Sequence, residues 1–334
     1  MIDFISGMNA EAGYNRFAFH LQKLSVKLDE AKNSTNAGKF LYENETRDVL
    51  FDLEALARIY KSFHNQQRFE KFRIEFKLLE DQLGRIDYYD GFRKEFEQQK
   101  YFPEQILVGL KKRIDFEIKK LNELLITRSW IANDFKRMRV IKKKLSDAKW
   151  KSHEKEKKLF TNFWNDELKT LLRIYKNGSL NFNDIENGVH KIRRCFRWFS
   201  IYAQAIGGLV LLKSIEIISD DEKSLLTKEL IESPFNKLPI APEGISPIFM
   251  DKNYFYLLSW LIEYLGNLKD NGLKILLVDE LTKNISGGKS LFEKIISVPR
   301  KAKSEQLDSI KQKAKSEIEK FIFEFNLLKN LAIK

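Results

Sequence analysis

Apolar residues recur at three- and four-residue steps along most of the 334-residue chain. Leu50, Leu53, Leu56, Ile59 and Tyr60 show the spacing, which lays them along one stripe of an α-helix. The pattern predicts helices over 9–32, 40–65, 69–98, 104–149, 151–177, 183–216, 221–232, 252–283 and 302–330. Asn44 falls near the start of the second. The stretch Asn181–Asp184 caps the helix that follows Gly178, and Gly178 itself reads as a helix stop. No alternating run is long enough to predict a strand. Pro234, Pro239, Pro242 and Pro247 crowd a segment that cannot be continuous helix, so an ordered connector is expected before the helix starting at Lys252. The expected fold class is all-α.

A weaker break at Lys176–Asn183 separates two expected bundles, 1–177 and 178–334, and these halves share a faint repeat. The first carries Asn44-Glu-Thr-Arg47, then Leu50, Phe51 and Leu53, and later Leu83-Gly84-Arg85-Ile86. The second carries His190-Lys-Ile-Arg193, then Phe196 and Phe199, and later Leu265-Gly266-Asn267-Leu268. Glycine inside a helix costs about 1 kcal/mol relative to alanine, so glycines at matching positions predict close packing. The repeat implies two pseudo-symmetric antiparallel helical bundles packed together in one compact unit.

Charge narrows the class of partner. The chain has 59 Lys and Arg against 47 Asp and Glu, a net charge of +12, and 43% hydrophobic residues. It can bury a core, and its surface suits a polyanion. A lone Cys195 forms no internal disulfide, which points to a reducing, cytoplasmic setting. Met1-Ile2-Asp3-Phe4 lacks the pattern of a secretory signal. The apolar stretch Trp198–Leu212 is shorter than the ~20 residues a membrane span needs, so it reads as a core helix and no membrane partner is expected.

The helix beginning near Asp184 carries the chemistry. At about 100° per residue, His190, Arg193, Arg194 and Arg197 share one face, while Ile192, Cys195, Phe196, Phe199, Ala203 and Ile206 share the other. A solvated helix face usually interleaves acids for i,i+4 pairing. None stands between His190 and Ser200. Arginine offers a planar fork suited to bidentate phosphate contact and stays charged at any relevant pH. The cations around His190 should favour its neutral form, leaving it a hydrogen-bond donor.

His190-Lys-Ile-Arg193-Arg194-Cys-Phe-Arg197 resembles the signature of the conserved-histidine α-helical domain, the CHAD family. Leu265-Gly266-Asn-Leu-Lys269-Asp270 resembles that family's Leu-Gly-x-x-basic-Asp segment, and Leu125-Ile-Thr-Arg128-Ser-Trp130 its Leu-x-Ser-x-Arg-aromatic segment. The resemblance covers roughly residues 10–330. It implies two pseudo-symmetric helical bundles and non-enzymatic binding of inorganic polyphosphate along basic helix faces. The implied contact residues are His190, Arg193, Arg194 and Arg197, then Arg47, Arg128, Arg137 and Lys269. The first half departs from the pattern. Asn44 replaces the histidine, Asp48, Asp52 and Glu54 follow Arg47, and Asp87-Tyr88 stands where an Arg-Asp pair is expected, although Asp90 remains. The chain reads as a divergent member whose acidic first half has lost part of its anion surface.

Other candidates are weaker. Arg16, His20, Lys23 and Lys27 share a stripe of the first helix. Lys136, Arg137, Arg139 and Lys142–Lys144 form a dense basic cluster. The four histidines show no zinc-ligand spacing. Gly288-Lys289-Ser290 lacks the first glycine of a phosphate loop, since Lys283 stands in its place. No catalytic residue, metal or cofactor is expected. The alternative readings are nucleic-acid binding, against which the absence of a reader motif and the core spacing of the aromatics argue, and a helical scaffold for a protein partner that the sequence does not specify.

Overall fold

The computed structural model describes residues 12–100, 102–241, 245–283 and 285–333. Met1–Phe4, the first residues of the predicted 9–32 helix and Pro242 lie outside the described residues. The chain forms two compact units, Met1–Leu159 and Phe160–Lys334, each an assembly of helices. The division falls inside a helix (His153–Lys176), not at the 177–178 turn where the sequence predicts a boundary. Gly178 does end that helix. It adopts φ +63°, and the Ser179 amide donates to the Ile174 carbonyl, closing the last turn.

In the first unit, α1 (Ala12–Asn33), α2 (Ala37–Glu43), α3 (Thr46–Phe63), α4 (Gln66–Glu97), α5 (Glu104–Thr127) and α6 (Lys136–Ser146) precede the start of α7 (His153–Lys176). Only His64 and Asn65 join α3 to α4, so the pair folds back antiparallel. Lys61 near the end of α3 meets Glu70 near the start of α4, and Arg47 at the other end meets Glu80. The α4–α5 pair is antiparallel too, with Gln82 bonded to Glu117 and Arg128 near Glu75. Leu50, Leu53, Leu56, Ile59 and Tyr60 are all fully buried, as their spacing predicts.

Two predicted helices break where periodicity alone would continue them. The 40–65 helix is interrupted at Asn44–Glu45, where Glu45 takes φ 52°. The 104–149 helix stops at Thr127, and Ser129, Asn133, Asp134 and Phe135 all take positive φ before α6 begins. Neither break contains a glycine or proline. The second coincides with Trp130, which is 0% exposed and lies 6.2 Å from the Phe76 ring.

In the second unit, a π-helical turn (Ile185–His190) leads into α8 (Lys191–Ala205). Then come β1 (Val210–Lys213), α9 (Asp220–Ser224), α10 (Lys228–Glu232), β2 (Ile248–Asp251), α11 (Lys252–Thr282), α12 (Gly288–Ile296), α13 (Lys303–Glu319) and α14 (Leu327–Asn330). The π turn and α8 run antiparallel to α11, with Ile185 against Gly272 and Arg193 against Gly266. Trp260 of α11 stacks on Phe321 at 5.3 Å, and the Trp164 indole N–H donates to the Leu331 carbonyl at 2.8 Å.

The predicted 183–216 helix is the largest misreading. Gly207 and Gly208 take φ 52° and 76° and end α8, so Val210–Lys213 pairs in parallel with Ile248–Asp251. Asp251, at the end of the connector that follows, is 3% exposed. Its carboxylate accepts from the Ile215 and Glu216 amides on one oxygen and from Asn253 and Tyr254 on the other. One side chain thus satisfies the end of the β1 segment and caps α11. The fold class remains all-α, with this two-stranded ribbon as the exception among the described residues.

Candidate functional site

One local contact recurs in both units. A methyl group on Gly84 would lie 2.6 Å from Arg47 Nη2, and one on Gly266 would lie 3.0 Å from Arg193 Nε. In both units, the arginine three residues after the polar Asn44 or His190 lies flat over the glycine of the antiparallel helix. Absence of a Cβ makes room for a guanidinium, which explains both helical glycines better than backbone contact does.

The surroundings of the two arginines differ in sign. Arg47 donates through Nε to Glu80 at 2.8 Å and through Nη1 to Asp87 at 2.7 Å. Arg193 donates through Nε to the Ile262 carbonyl at 3.0 Å. Counted from the glycines, Glu80 and Ile262 both stand four residues before, and Asp87 and Lys269 both stand three after. Two acids around Arg47 thus correspond to a neutral residue and a cation around Arg193. Burial pushes the Glu80 carboxyl up, and Arg47 opposes that shift.

The predicted site residues separate along the same line. His190 Nδ1 is 2.9 Å from Glu186 Oε2, one turn back in the π turn. Lys269 is 16% exposed and pairs with Asp270 at 2.6 Å. The Glu186 carboxyl is held below its usual range, chiefly by the His190 hydrogen bond and further by the charges of His190, Lys269 and Arg194. Cations from two antiparallel helices therefore act on one carboxylate. Arg194 is exposed, while Arg193 and Arg197 are half-buried. Behind them Ile192, Phe196, Phe199, Ala203 and Ile206 are buried as predicted, and Cys195 is only half-buried.

Glu186 is the residue that sequence reasoning missed. The acid-free run begins at His190, and attention to that run hides the acid at i−4. The spacing of an i,i+4 acid–histidine pair was the available signal.

In the first unit the predicted contacts are paired with acids. Arg128 and Arg137 converge on Glu75 Oε1 at 3.6 and 3.3 Å, and Glu75 is 13% exposed. Arg137 also donates to the Arg128 carbonyl, which fixes the turn after α5. The α1 stripe divides. Arg16 is buried against Tyr60 and Glu156, His20 is buried beside Asp52, and Lys27 donates to the Asn44 carbonyl. Lys23 stays exposed, over the Phe19 ring.

The His20–Asp52 pair has a measurable signature. Burial, aided by Lys23, pulls the His20 imidazole down to about 4. Burial also pushes the Asp52 carboxyl up to about 7, with Lys23 opposing and Asp48 adding. Between about pH 4 and 6.5 the folded pair holds one proton, on Asp52, and the unfolded pair also holds one, on His20. Equal proton counts give stability no pH slope from this pair. His20→Gln leaves Asp52 alone, whose raised value stabilises the fold fully below about pH 4 and loses that effect as pH rises towards 7. Asp52→Asn leaves His20 alone, whose lowered value stabilises above about pH 6.5 and loses that effect as pH falls through about 4. Thermal melts of the two variants across this window should therefore slope in opposite directions; parallel slopes would refute the assignment.

Among the described residues, no group of three or more His, Cys, Asp or Glu side chains could hold a metal ion, and no helix is long and apolar enough to cross a membrane. Fold and site together define an all-α protein with an Arg-rich helix face in its second unit. No protein-family model matches the chain, and no curated protein or solved structure matches it either.

Proposed function

We propose that this protein binds inorganic polyphosphate, without catalysing a reaction on it, along the helix face formed by the π turn, α8 and the facing part of α11. The observation that carries the reading is the Glu186 carboxylate 2.9 Å from His190 on the Arg-rich face of the π turn and α8, within the field of Arg194 and of Lys269 from α11. Arg193 and Arg197, four residues apart and so about 5–6 Å apart at Cβ, continue the face along α8. On this reading the chain is a divergent CHAD-like protein. The Arg-over-Gly contact in each unit is the relic of a pseudo-symmetric repeat, and the basic groove is retained in the second unit only.

Such binding is electrostatic, and each neutralised phosphate releases counterions. With about four phosphates neutralised, affinity should fall roughly 50- to 150-fold between ~50 and ~200 mM salt. Titration of the full chain with long-chain polyphosphate at several salt concentrations measures this. A flat salt response would overturn the proposal. Displacement of polyphosphate by RNA at equal phosphate concentration would favour the nucleic-acid reading instead.

A further inference from the structure

Glu186 is unusual as a carboxylate placed inside a cation cluster. Its side chain is 56% exposed, and it hydrogen-bonds to His190 of the same π turn, one helical step away. It is therefore tethered locally and can swing into solvent without disturbing the core. Its charge occupies the place where the fields of His190, Arg194 and Lys269 overlap. An incoming phosphate oxygen would seek the same donors.

The first unit shows the same arrangement in closed form. There Arg47 is engaged by Glu80, 5% exposed, and by Asp87, and Glu80 is anchored in the α3–α4 packing. A buried, paired carboxylate costs several kcal/mol to strip of its partner, so that arginine is not available to a ligand. Glu186 differs in being exposed and on a single short turn. The two units thus hold a fixed internal anion and a displaceable one.

We infer that Glu186 is an internal competitor for the anion site: it holds His190 in the absence of ligand and is displaced by a phosphate group. This rests on the polyphosphate reading and adds what sets the affinity of that site. Glu186 is then a specificity-determining residue. A monovalent anion cannot repay its displacement, whereas a polyanion with several phosphates can.

The test compares wild-type protein with Glu186→Gln and with Asp220→Asn, titrated with long-chain polyphosphate and with inorganic phosphate at fixed salt. Asp220 is 98% exposed on α9 and changes net charge by the same unit away from the cluster. Glu186→Gln should bind polyphosphate up to about fivefold more tightly, the scale of one part-exposed charge interaction. It should also narrow the gap between polyphosphate and inorganic phosphate. Asp220→Asn should stay within about twofold of wild type. Equal gains in the two variants would make the effect one of net charge and overturn the inference. So would weaker binding by Glu186→Gln, which would make Glu186 a positioning residue for His190. Binding that Arg193→Ala with Arg197→Ala abolishes but Glu186→Gln leaves unaltered would remove the inference and keep the polyphosphate reading. Absence of binding in wild type and Glu186→Gln alike would remove both.

Discussion

Replacing Glu156 with alanine should cost the first unit about 3–5 kcal/mol, the range for breaking a buried ion pair from one side. Arg16 is 8% exposed, Glu156 is 2% exposed and Tyr60 is fully buried. Arg16 donates to the Tyr60 hydroxyl at 2.8 Å and pairs with one Glu156 oxygen, while the Tyr60 hydroxyl donates to the other. Every member is satisfied by another, and the network ties α1, α3 and the start of α7 together. Burial tends to lower the Arg16 value, but Tyr60 and Glu156 outweigh it and hold the guanidinium charged. Without Glu156 that charge stays buried and has lost the carboxylate that balanced it. Domains are stable by only about 5–15 kcal/mol, so the loss is a large fraction of the total. The Tyr60 hydroxyl also resists ionisation, since burial raises it well above its ordinary value. Urea unfolding followed by tryptophan fluorescence measures the effect; a loss under about 1 kcal/mol would show that the network is a solvated ion pair. Replacing all three members with apolar residues of similar volume should cost far less, because no charge is then left unpaired.

Arg193→Ala with Arg197→Ala should weaken polyphosphate binding about a hundredfold or more, since hydrogen bonds to charged groups contribute roughly 1.5–3 kcal/mol each and two are removed. Arg47→Ala with Arg137→Ala removes the same charge from the first unit and should change affinity within about twofold. There Glu80, Asp87 and Glu75 already engage the arginines. The first-unit pair should instead lower that unit's melting temperature, because Glu80 is 5% exposed and loses its partner. Arg193 also fills the space over Gly266. A second pair, Arg194→Gln with Lys269→Gln, leaves that contact intact and should weaken binding as well. Isothermal titration, with circular dichroism confirming the fold, distinguishes these outcomes. Equal losses from both units would show that the whole surface binds without distinction.

The Arg-over-Gly contact shows how far sequence could reach. Asn44–Arg47 with Gly84 and His190–Arg193 with Gly266 are legible as a repeat because the spacing from polar residue to arginine is local and the glycines are conspicuous in helices. That an arginine would cover each glycine was not legible. It depends on the antiparallel register of α3 on α4 and of α8 on α11, which no local pattern encodes. The same register decides that Arg47 meets Glu80 and Asp87 while Arg193 meets a backbone carbonyl. Arg128 and Arg137 look like free cations in sequence, yet both close on Glu75, about fifty residues earlier in the chain. Glu186 was readable at i−4 from His190, but only the charge of Lys269 on another helix, acting on it alongside His190, gives it meaning.

The sequence by itself determined the all-α class, the buried stripe of each long helix, the stop at Gly178, the cap at Asp184 and the cationic face of α8. These follow from periodicity and from short-range backbone hydrogen bonding, which act within a few residues. Tertiary structure alone decided that Val210–Lys213 is a strand, because its partner Ile248–Asp251 lies beyond two intervening helices and supplies the hydrogen bonds that override a helical pattern. It also decided which cations are neutralised. Charge is a property of each residue, but pairing depends on which residues packing brings within about 4 Å, and that is fixed by the register of helices distant in sequence.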